Sequence, residues 1–483
     1  MEVNYKSKII NSHFLKEKFS KSEDIQISPI IINEQIKIHL ICVDGLVDST
    51  ILGRMVLNPI ITEDRFNKAV LESEIINDLL NGKTFNPFVS ITDDYNDMIT
   101  ATMCGMAAFI FDKEKKAVLF DLRAFEKRSV SEPQDEGVMK GAKDSFIEVL
   151  RTNTALIRRR LRTEELVIEH FKVGKLSKTD VAIAYINDIV DMNIVNDLRK
   201  NINKISIDNI STPAFLEEHL IKNKLSIFPQ LMYTERPDRC SANLTEGKAA
   251  IIVDGLPFVY LAPCQFVMLM QSPDDYGNHF IIASFLRMIR YIAMILTLFL
   301  PSYYIATTTF QNQMLPVQLA LSIQNSKVNV PFSSGFEVIG LLIAFEILIE
   351  ASLRLPKTVG TAMSILGGLV VGQAAIEANL LSPTVVVIVS ISGIAGFMMP
   401  NQDFSACLRV LRFALSILAS IGGFFAIGIG FIFIITHLAG LESYGVSYLY
   451  PFVNNDKRNI QDTIFRFPIK YLRTRLSQGK ENN

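Results

Sequence analysis

A stripe of small residues follows the apolar stretch TVGTAMSILGGLVVGQAAIE, which begins at Thr358. Positions spaced three or four apart fall on one side of a helix. In lipid, such a stripe lets helices approach closely. If several copies instead turn it toward a common axis, its hydroxyls and exposed backbone line a narrow aqueous path, and the residues alone leave both interpretations open. The candidate pore-lining residues are Thr361, Ser364, Gly368, Val371 and Ala375.

Charged residues interrupt the candidate membrane segment that precedes this stretch, the apolar run from Phe336 to Leu353. Glu346, Glu350 and Arg354 follow one another at intervals of four residues, so a helix places them on one side. Ionisable groups inside a membrane are costly and usually face a partner, a cavity or water. We therefore expect Glu346 and Glu350 to face protein or water, and Glu350 or Arg354 to pair with a neighbouring helix.

A basic amphipathic helix is predicted from Phe146 to Arg160, where arginines alternate with apolar residues. Helices of this type bind anionic lipid or an acidic partner. A solvated helix between two domains has the same pattern, and both interpretations stay open. Arg158 and Arg160 are the candidates for an inter-domain or subunit contact.

Composition and motifs argue against several classes of function. A formal net charge of -1 disfavours nucleic acid as a partner. The five cysteines lie far apart without a CxxC motif, and the six histidines lack ligand spacing, so no metal site or disulfide framework is indicated. The sequence has no HExxH, GxSxG or Walker motif. We therefore predict that the protein is not an enzyme and has no cofactor and no metal.

The elements that position these residues divide unevenly along the 483-residue chain. Roughly the first 280 residues read as soluble protein and the next 160 or so as membrane protein. The predicted fold class is an α/β soluble N-terminal region of two similar α/β subdomains, followed by an α-helical transmembrane bundle. The predicted domains are residues 1–140, 141–276 and 277–440, with a polar basic tail at 441–483. The first residues lack the apolar core of a signal peptide, so we expect the N-terminal part to stay in the cytoplasm.

An internal duplication is predicted inside the soluble region. A strand from Ile36 to Val43 precedes a hairpin between Gly105 and Asp121, and the same plan returns about 142 residues later. The segment Gly105-Met-Ala-Ala-Phe-Ile-Phe-Asp112 parallels Gly247-Lys-Ala-Ala-Ile-Ile-Val-Asp254. Short apolar strands that end in Asp-Gly are common, which is the alternative explanation. The aspartates occupy turn positions and are not interpreted as catalytic.

Four or five membrane spans are predicted. The first is Tyr291 to Thr309 and the last Phe413 to His437, and each of the two apolar runs between Thr358 and Pro400 is long enough to cross a bilayer. Arg287 and Arg290 fit a cytoplasmic border. The basic tail favours an even number of crossings, whereas other arginines fit five, so the number stays open.

Nine motifs in a fixed order then identify a resemblance that covers about two thirds of the chain, from Ser131 to about Tyr450. The motifs are SEPQDEG, FIEVLRTNTALIRRR, SIFPQLMYTERPDR, VDGLPFVYLAP, QSPDDY, ASFLRMIRYIA, ILIEASLRLPK, SILGGLVVGQAAIEANLLSP and SYGVSYLYPF. Together they resemble the A subunits of spore germinant receptors, the GerA family. Ala142, Thr358 and Thr361 depart from residues usual in that family.

The resemblance implies a nutrient-responsive receptor in the spore inner membrane. Its partners would be a transporter-like B subunit, which holds the nutrient, and a lipoprotein C subunit. It further implies that A subunits assemble as a ring around a cation pathway that opens when nutrient binds. The alternative is a transporter-like or accessory signalling subunit without its own pore.

Overall fold

The computed structural model describes residues 10–33, 36–81, 88–123, 133, 136–210, 212–354, 372–453, 462–468 and 470. These residues form two compact units. The described chain up to Lys222, together with Leu231–Pro263, makes the first unit. Asn223–Gln230 and the described chain from Cys264 onward make the second. The predicted domain boundaries at residues 140, 276 and 440 stay predictions.

The first unit begins with an antiparallel sheet of five strands in the order β1-β2-β4-β5-β3. Its strands are β1 (Ile25–Asn33), β2 (Ile36–Val43), β3 (Val89–Thr92), β4 (Ala107–Phe111) and β5 (Lys116–Phe120). Both faces of the β4–β5 hairpin are covered, because Phe109 and Phe120 belong to one apolar cluster and Ile110 and Leu119 to another. Strands buried on both faces read as continuous apolar runs. The predicted hairpin is therefore confirmed.

A second antiparallel sheet repeats this strand order as β6-β7-β9-β10-β8. Its strands are β6 (Leu166–Val173), β7 (Thr179–Ile186), β8 (Met232–Thr234), β9 (Ala249–Val253) and β10 (Val259–Ala262). The register of the hairpin is repeated as well. Ala107 pairs with Phe120 in the first sheet, and the corresponding Ala249 pairs with Ala262 in the second. The two α/β halves thus share one topology, as the duplicated sequence pattern predicted.

Short helices cover the sheets of the first unit. Those before and within the first half are α1 (Ser12–Lys18), α2 (Ser49–Ile51), a π-helix (Leu52–Leu57), α3 (Asn58–Thr62), α4 (Asp64–Asn67), α5 (Glu72–Leu80) and α6 (Tyr95–Met103). The next are α7 (Leu150–Arg160), α8 (Met192–Lys204), α9 (Pro213–Leu220) and α10 (Pro237–Thr245). Of these, α7 corresponds to the predicted basic helix but begins at Leu150.

The second unit is helical. Its helices are α11 (Phe266–Met270), α12 (Asp274–Gly277), α13 (Phe280–Thr309), a 3-10 turn (Asn312–Met314), α14 (Val317–Lys327), α15 (Ser334–Arg354), α16 (Gly372–Glu377), α17 (Pro383–Gly396) and α18 (Gln402–Ala439). Helices α13, α15, α17 and α18 pack around an apolar core that includes Ile305, Leu342, Val389 and Ala419. A two-stranded hairpin follows, β11 (Glu442–Ser443) and β12 (Val446–Ser447).

Two of the described helices, α13 and α18, are long and apolar enough to cross a membrane. Large apolar side chains on both are exposed, among them Phe285, Ile292, Phe425 and Phe433. In the part of the chain that the structure describes, only these two helices have the required length and composition, and the bundle of four or five spans stays a prediction. Helix α15 has 21 residues but carries three glutamates.

The second apolar run before Pro400 is shorter than predicted. It forms α17, whose 14 residues span about 21 Å, less than the ~30 Å of a hydrocarbon core. Pro383 lies in its first turn, and the helix ends at Gly396, before Pro400. As a helix this run is therefore shorter than the expected span, and its crossing of a bilayer stays a prediction. The first run falls on residues 355–371, outside the described residues, and only its end appears as α16.

Helix α18 is interrupted at two glycines. Gly422 has φ -141° and ψ 19°, and Gly423 has φ 57° and ψ -140°. A Cβ atom on Gly423 would lie 2.7 Å from Oε1 of Gln311. Gly423 therefore permits both a backbone conformation that other residues rarely adopt and the close approach of the Gln311 side chain.

Candidate functional site

The strongest candidate site of the second unit is a buried cluster of charges at the start of α13. We call it the Asp275 cluster; its members are Asp275, Tyr276, Arg287, Arg290, Asp462 and Arg466. Asp275 comes from the short helix α12 within the motif QSPDDY and is fully buried. Arg287 and Arg290 lie three residues apart on α13, so both side chains reach the same side of the helix.

Asp275 is held by both arginines of α13. Its Oδ2 accepts from Nε of Arg287 at 2.8 Å and from Nη1 of Arg290 at 2.9 Å. Nη2 of Arg290 donates to Oδ1. Burial by itself raises the pKa of the Asp275 carboxyl, but the hydrogen bonds and charges of Arg290 and Arg287 outweigh it and keep the pKa below its ordinary value. The carboxylate is therefore ionised at neutral pH.

A second carboxylate, Asp462, connects the cluster to the segment after the hairpin β11–β12. Its Oδ1 accepts from Nη1 of Arg287 at 2.7 Å, and its Oδ2 accepts from the Tyr276 hydroxyl at 2.7 Å. Arg466 donates to the backbone oxygens of Asp275 at 2.6 Å and Asn278 at 2.7 Å. The Tyr276 ring lies beneath the guanidinium groups of Arg287 and Arg466.

This arrangement fixes positions instead of moving protons. Guanidinium groups stay charged at all working pH values, and the paired Asp275 carboxylate resists protonation. The cluster therefore fastens α12, the start of α13 and the segment around Asp462 to one another. The positive-inside interpretation of Arg287 and Arg290 did not anticipate this, because both side chains are buried. The sequence signal for this cluster was the presence of two arginines, Arg287 and Arg290, shortly after the acidic pair Asp274-Asp275.

In the first unit, Arg158 lies between the two halves. Its side chain is fully buried, and its Nε and Nη2 bind the two carboxylate oxygens of Asp24 at 2.9 and 3.0 Å. Nη1 donates to the backbone oxygen of Thr163 at 3.1 Å. Since Asp24 precedes β1 and Thr163 precedes β6, Arg158 connects the first sheet with the start of the second. It is not a solvated residue.

Arg160 has a different environment. It pairs with Asp144 at 2.5 Å and is partly exposed, and Arg159 reaches the same carboxylate at 3.4 Å. Of the two candidates, only Arg160 thus retains a solvent-accessible guanidinium. Arg158 is thus committed to an internal ion pair, whereas a contact of Arg160 with lipid or with another subunit stays a prediction.

Helix α7 contacts the Asp-Gly turn of each half. Arg151 pairs with Asp44 at 2.6 Å, and the next residue, Gly45, has no room for a Cβ atom, which would lie 3.0 Å from that of Ala155. In the second half, Oδ1 of Asp254 accepts from the backbone N–H of Leu150 at 3.0 Å. Asp44 and Asp254, which occupy non-equivalent positions of the two halves, therefore both hold helix α7.

Two of the sequence motifs meet in the first unit. Glu136 of SEPQDEG accepts from the hydroxyl of Thr234 at 2.5 Å and pairs with Arg239, both of which belong to the YTERPDR segment. Buried Arg236 donates to the backbone oxygens of Glu136 at 3.3 Å and Ala142 at 3.0 Å. Two segments about 100 residues apart in the sequence are thereby joined.

The predicted row of charges on α15 separates into different environments. Glu346 reaches a neighbouring helix, where its Oε1 lies 2.9 Å from Nη1 of Arg409 on α18. Glu350 and Arg354 pair with each other at 2.6 Å and are exposed, and among the described residues neither shows a partner on a neighbouring helix. Their i,i+4 spacing provides a partner on the same helix, and a partner on a neighbouring helix stays a prediction.

The most buried carboxylate of α15 is Glu337, which sequence reasoning did not select. It lies 2.9 Å from Nζ of Lys327 and accepts from the backbone N–H of Ser382 at 2.8 Å. Its position at the first turn of the helix made it resemble a simple helix-start residue. Only the folded chain brings the start of α17 to it.

Of the candidate pore-lining residues, Thr361, Ser364, Gly368 and Val371 lie outside the described residues. Ala375 lies on α16, is partly buried, and its backbone oxygen accepts from Leu380 at 2.9 Å. Within the described ranges, no group of three or more His, Cys, Asp or Glu residues has the geometry of a metal site.

The chain matches known proteins over nearly its whole length. A family model described as Bacillus/Clostridium GerA spore germination protein matches residues 13–478. Over 455 residues, the chain is 34% identical to spore germination protein KA of Bacillus subtilis (strain 168), covering 94% of this chain and 83% of that protein. It is 33% identical over 470 residues to spore germination protein B1 of the same organism, covering 97% and 96%.

A solved structure is also similar: the crystal structure of the N-terminal domain of the A subunit of the Bacillus megaterium spore germinant receptor GerK3. It is 27% identical, covers 54% of this chain and 98% of its own, and has a TM-score of 0.41. The family match and the curated relatives extend through both units. The chain belongs to the GerA family of spore germination proteins.

Proposed function

We propose that this protein is the A subunit of a nutrient-responsive spore germinant receptor, and that several copies assemble in the membrane around a nutrient-gated cation pathway. The names of its relatives and the length of the match support the receptor assignment. The ion pathway rests on one observation: carboxylates lie among apolar helices, with Glu337 buried and Glu346 paired across helices. Ionisable groups in such positions commonly mark ion pathways.

The pathway itself would be lined by Thr361, Ser364, Gly368, Val371 and Ala375. In a ring of copies, the Val371 side chains would form the narrowest apolar point, which can close a pore by excluding water. The exposed apolar side chains on α13 and α18 would face lipid. The membrane would be the inner membrane of the spore, with the α/β unit in the cytoplasm.

Nutrient would be held by a transporter-like B subunit, and a lipoprotein C subunit would complete the receptor. In this proposal the α/β unit and the helical unit respond together to the B subunit. Within the helical unit, the Asp275 cluster would hold the start of α13 in place by buried charge pairs that tolerate little displacement.

A second candidate function is a transporter-like or accessory signalling subunit without its own pore. The interruption of α18 at Gly422 and Gly423 favours it, because broken membrane helices are frequent in transporters. The two functions differ in one measurable property. Only the first requires this chain to form an oligomer that conducts ions.

The deciding experiment measures the oligomeric state of the detergent-extracted chain together with monovalent cation flux in liposomes. Flux is recorded for the A subunit alone and with the B and C subunits, with and without nutrient. An oligomer whose flux depends on nutrient supports the proposal. A monomer without flux in either preparation rules it out in favour of the second function.

A further inference from the structure

Arg412, on α18, is a buried cation without a carboxylate of its own. Only 1% of its surface is exposed. Its Nη1 donates to Oγ of Ser392 at 3.2 Å, whereas Nε and Nη2 have no hydrogen-bond partner among the described residues. A buried charge in this situation is unfavourable unless something neutralises it.

The surroundings of Arg412 are tightly built. Ser392 belongs to α17, and its hydroxyl donates in turn to the backbone oxygen of Thr297 on α13 at 3.1 Å. Next to it, a Cβ atom on Gly393 would lie 2.8 Å from the Phe345 ring of α15. Helices α13, α15 and α17 therefore pack closely beside the Ser392 that binds Arg412.

The charged groups that act on Arg412 are Glu346 and Arg409. Glu346 pairs through its Oε1 with Arg409, while its Oε2 has no hydrogen-bond partner among the described residues. Nε of Arg409 likewise has no partner in the described chain. One carboxylate thus faces two guanidinium groups, which leaves one positive charge. The stretch 355–371, which follows α15 and lies outside the described residues, has no Asp or Glu in its sequence to balance this charge.

We propose that Arg412 and Arg409 form a buried binding site for one small monovalent anion of the halide class. The free N–H groups of Arg412 and Nε of Arg409 are its donors, and guanidinium N–H groups bind anions well. A single negative charge brings the triad of Glu346, Arg409 and Arg412 to neutrality, whereas a dianion overshoots it. The close packing of Gly393 against Phe345, next to Ser392, favours a compact ion. Bound between α15, α17 and α18, the anion stabilises their packing.

The test uses the full-length protein in detergent, with chloride exchanged for gluconate at constant ionic strength. The thermal unfolding midpoint of the unchanged protein is expected to rise with chloride and to saturate. Arg412→Gln removes that dependence. Arg354→Gln, which removes an exposed arginine of α15, is the matched control and keeps it.

A midpoint of the unchanged protein that is identical in chloride and gluconate overturns the proposal. So does an Arg412→Gln protein that responds to chloride as the unchanged protein does. If Arg412→Gln does not accumulate, crystals of the unchanged protein in bromide decide. An anomalous peak beside Arg412 supports the site, and no peak there overturns it in favour of Glu346 alternating between the two arginines.

Discussion

Asp24 and Arg158 form a buried, bidentate ion pair, although 134 residues separate them in the sequence. The pair joins the strand that opens the first sheet to the helix that leads into the second. Removing one partner leaves the other charged and buried. The pair therefore ties the folding of one half to the presence of the other.

Arg158→Gln is expected to lower the free energy of unfolding by about 3–5 kcal/mol, the usual cost of breaking a buried ion pair. Arg151→Gln is the matched control on the same helix. Its pair with Asp44 is more than half exposed on the arginine side, so the loss should stay below about 1 kcal/mol. Denaturant unfolding of the full chain gives both values, and equal losses would contradict the internal role of Arg158.

Arg160→Glu tests whether α7 contacts another subunit, without the large loss of stability expected for Arg158→Gln. Arg160 is partly exposed, so charge reversal should change stability by only about 0.5–1 kcal/mol. If α7 contacts another subunit, the variant inserts into the membrane but fails to respond to nutrient. A normal germination response at normal protein level, measured by blot, would leave Arg160 a purely internal partner of Asp144.

Asp275→Asn should destabilise the second unit in a pH-dependent way. The folded carboxyl has a lowered pKa, so its contribution is present at neutral pH and lost as pH falls below the ordinary value of about 4. At neutral pH the expected loss is about 3–5 kcal/mol, because Arg287 and Arg290 are left without it.

The measurement for this variant is the unfolding free energy of both proteins from neutral pH down to about pH 3. The difference between unchanged protein and Asp275→Asn should narrow on acidification. Asp274→Asn, at the half-exposed neighbouring position, should give a small difference at every pH. If the difference in unfolding free energy between the unchanged protein and Asp275→Asn stays constant with pH, the assigned charge state of Asp275 is refuted.

Glu346→Gln and Glu350→Gln separate two environments on one helix. Glu346 pairs with Arg409 on another helix, so its loss should reduce assembly or ion flux. Among the described residues Glu350 pairs with the exposed Arg354, so its loss should cost no more than about 0.5 kcal/mol of stability. A large defect of Glu350→Gln in assembly, with a stable monomer, would instead place Glu350 and Arg354 at a contact with another copy.

Val371→Ala addresses the proposed constriction. Shrinking the apolar ring should favour the conducting state, so spores should release monovalent cations without nutrient. Ile365→Ala, a change of similar size outside the small-residue stripe, is the control and should not leak. The measurement is ion leak per receptor, with protein level checked by blot. A stable Val371→Ala protein that does not leak removes Val371 as the gate.

Gly423→Ala tests the interruption of α18. Gly423 has a backbone conformation reserved for glycine, and the new Cβ atom would press on Gln311, so we expect a loss of about 1–3 kcal/mol. Gly428→Ala, in the same helix with open space at its Cβ position, should instead stabilise by up to ~1 kcal/mol. Opposite signs in thermal unfolding are the expected outcome. Two stabilised variants would indicate a straight helix.

The sequence predicted local elements well where the signal is local. The strand Ile36–Val43 and the hairpin of β4 and β5 follow from apolar runs bounded by turn residues. Strand β1 was missed because it is an edge strand with mixed polarity and contains Pro29, which only an edge tolerates well.

The candidate sites were harder to predict, because their partners are distant in sequence. Asp24 with Arg158, and Glu337 with the backbone of Ser382, carry no spacing that a sequence pattern can reveal. Glu350 and Arg354 show the opposite case. Their spacing was visible, but it pointed to a partner on the same helix.

The duplicated strand order also bears on how the chain folds. In each half, neighbouring strands pair early, whereas β2 meets β4 only after the long segment between Val43 and Ala107 has been closed. Until then, the second half offers a strand pair of the same order, and such misassembly is typical of repeated domains. The halves differ in bulk, with Phe109 and Phe120 in the first hairpin and Ile251 and Ala262 in the second. An exchanged hairpin would overfill one core and leave a cavity in the other, which selects the correct pairing.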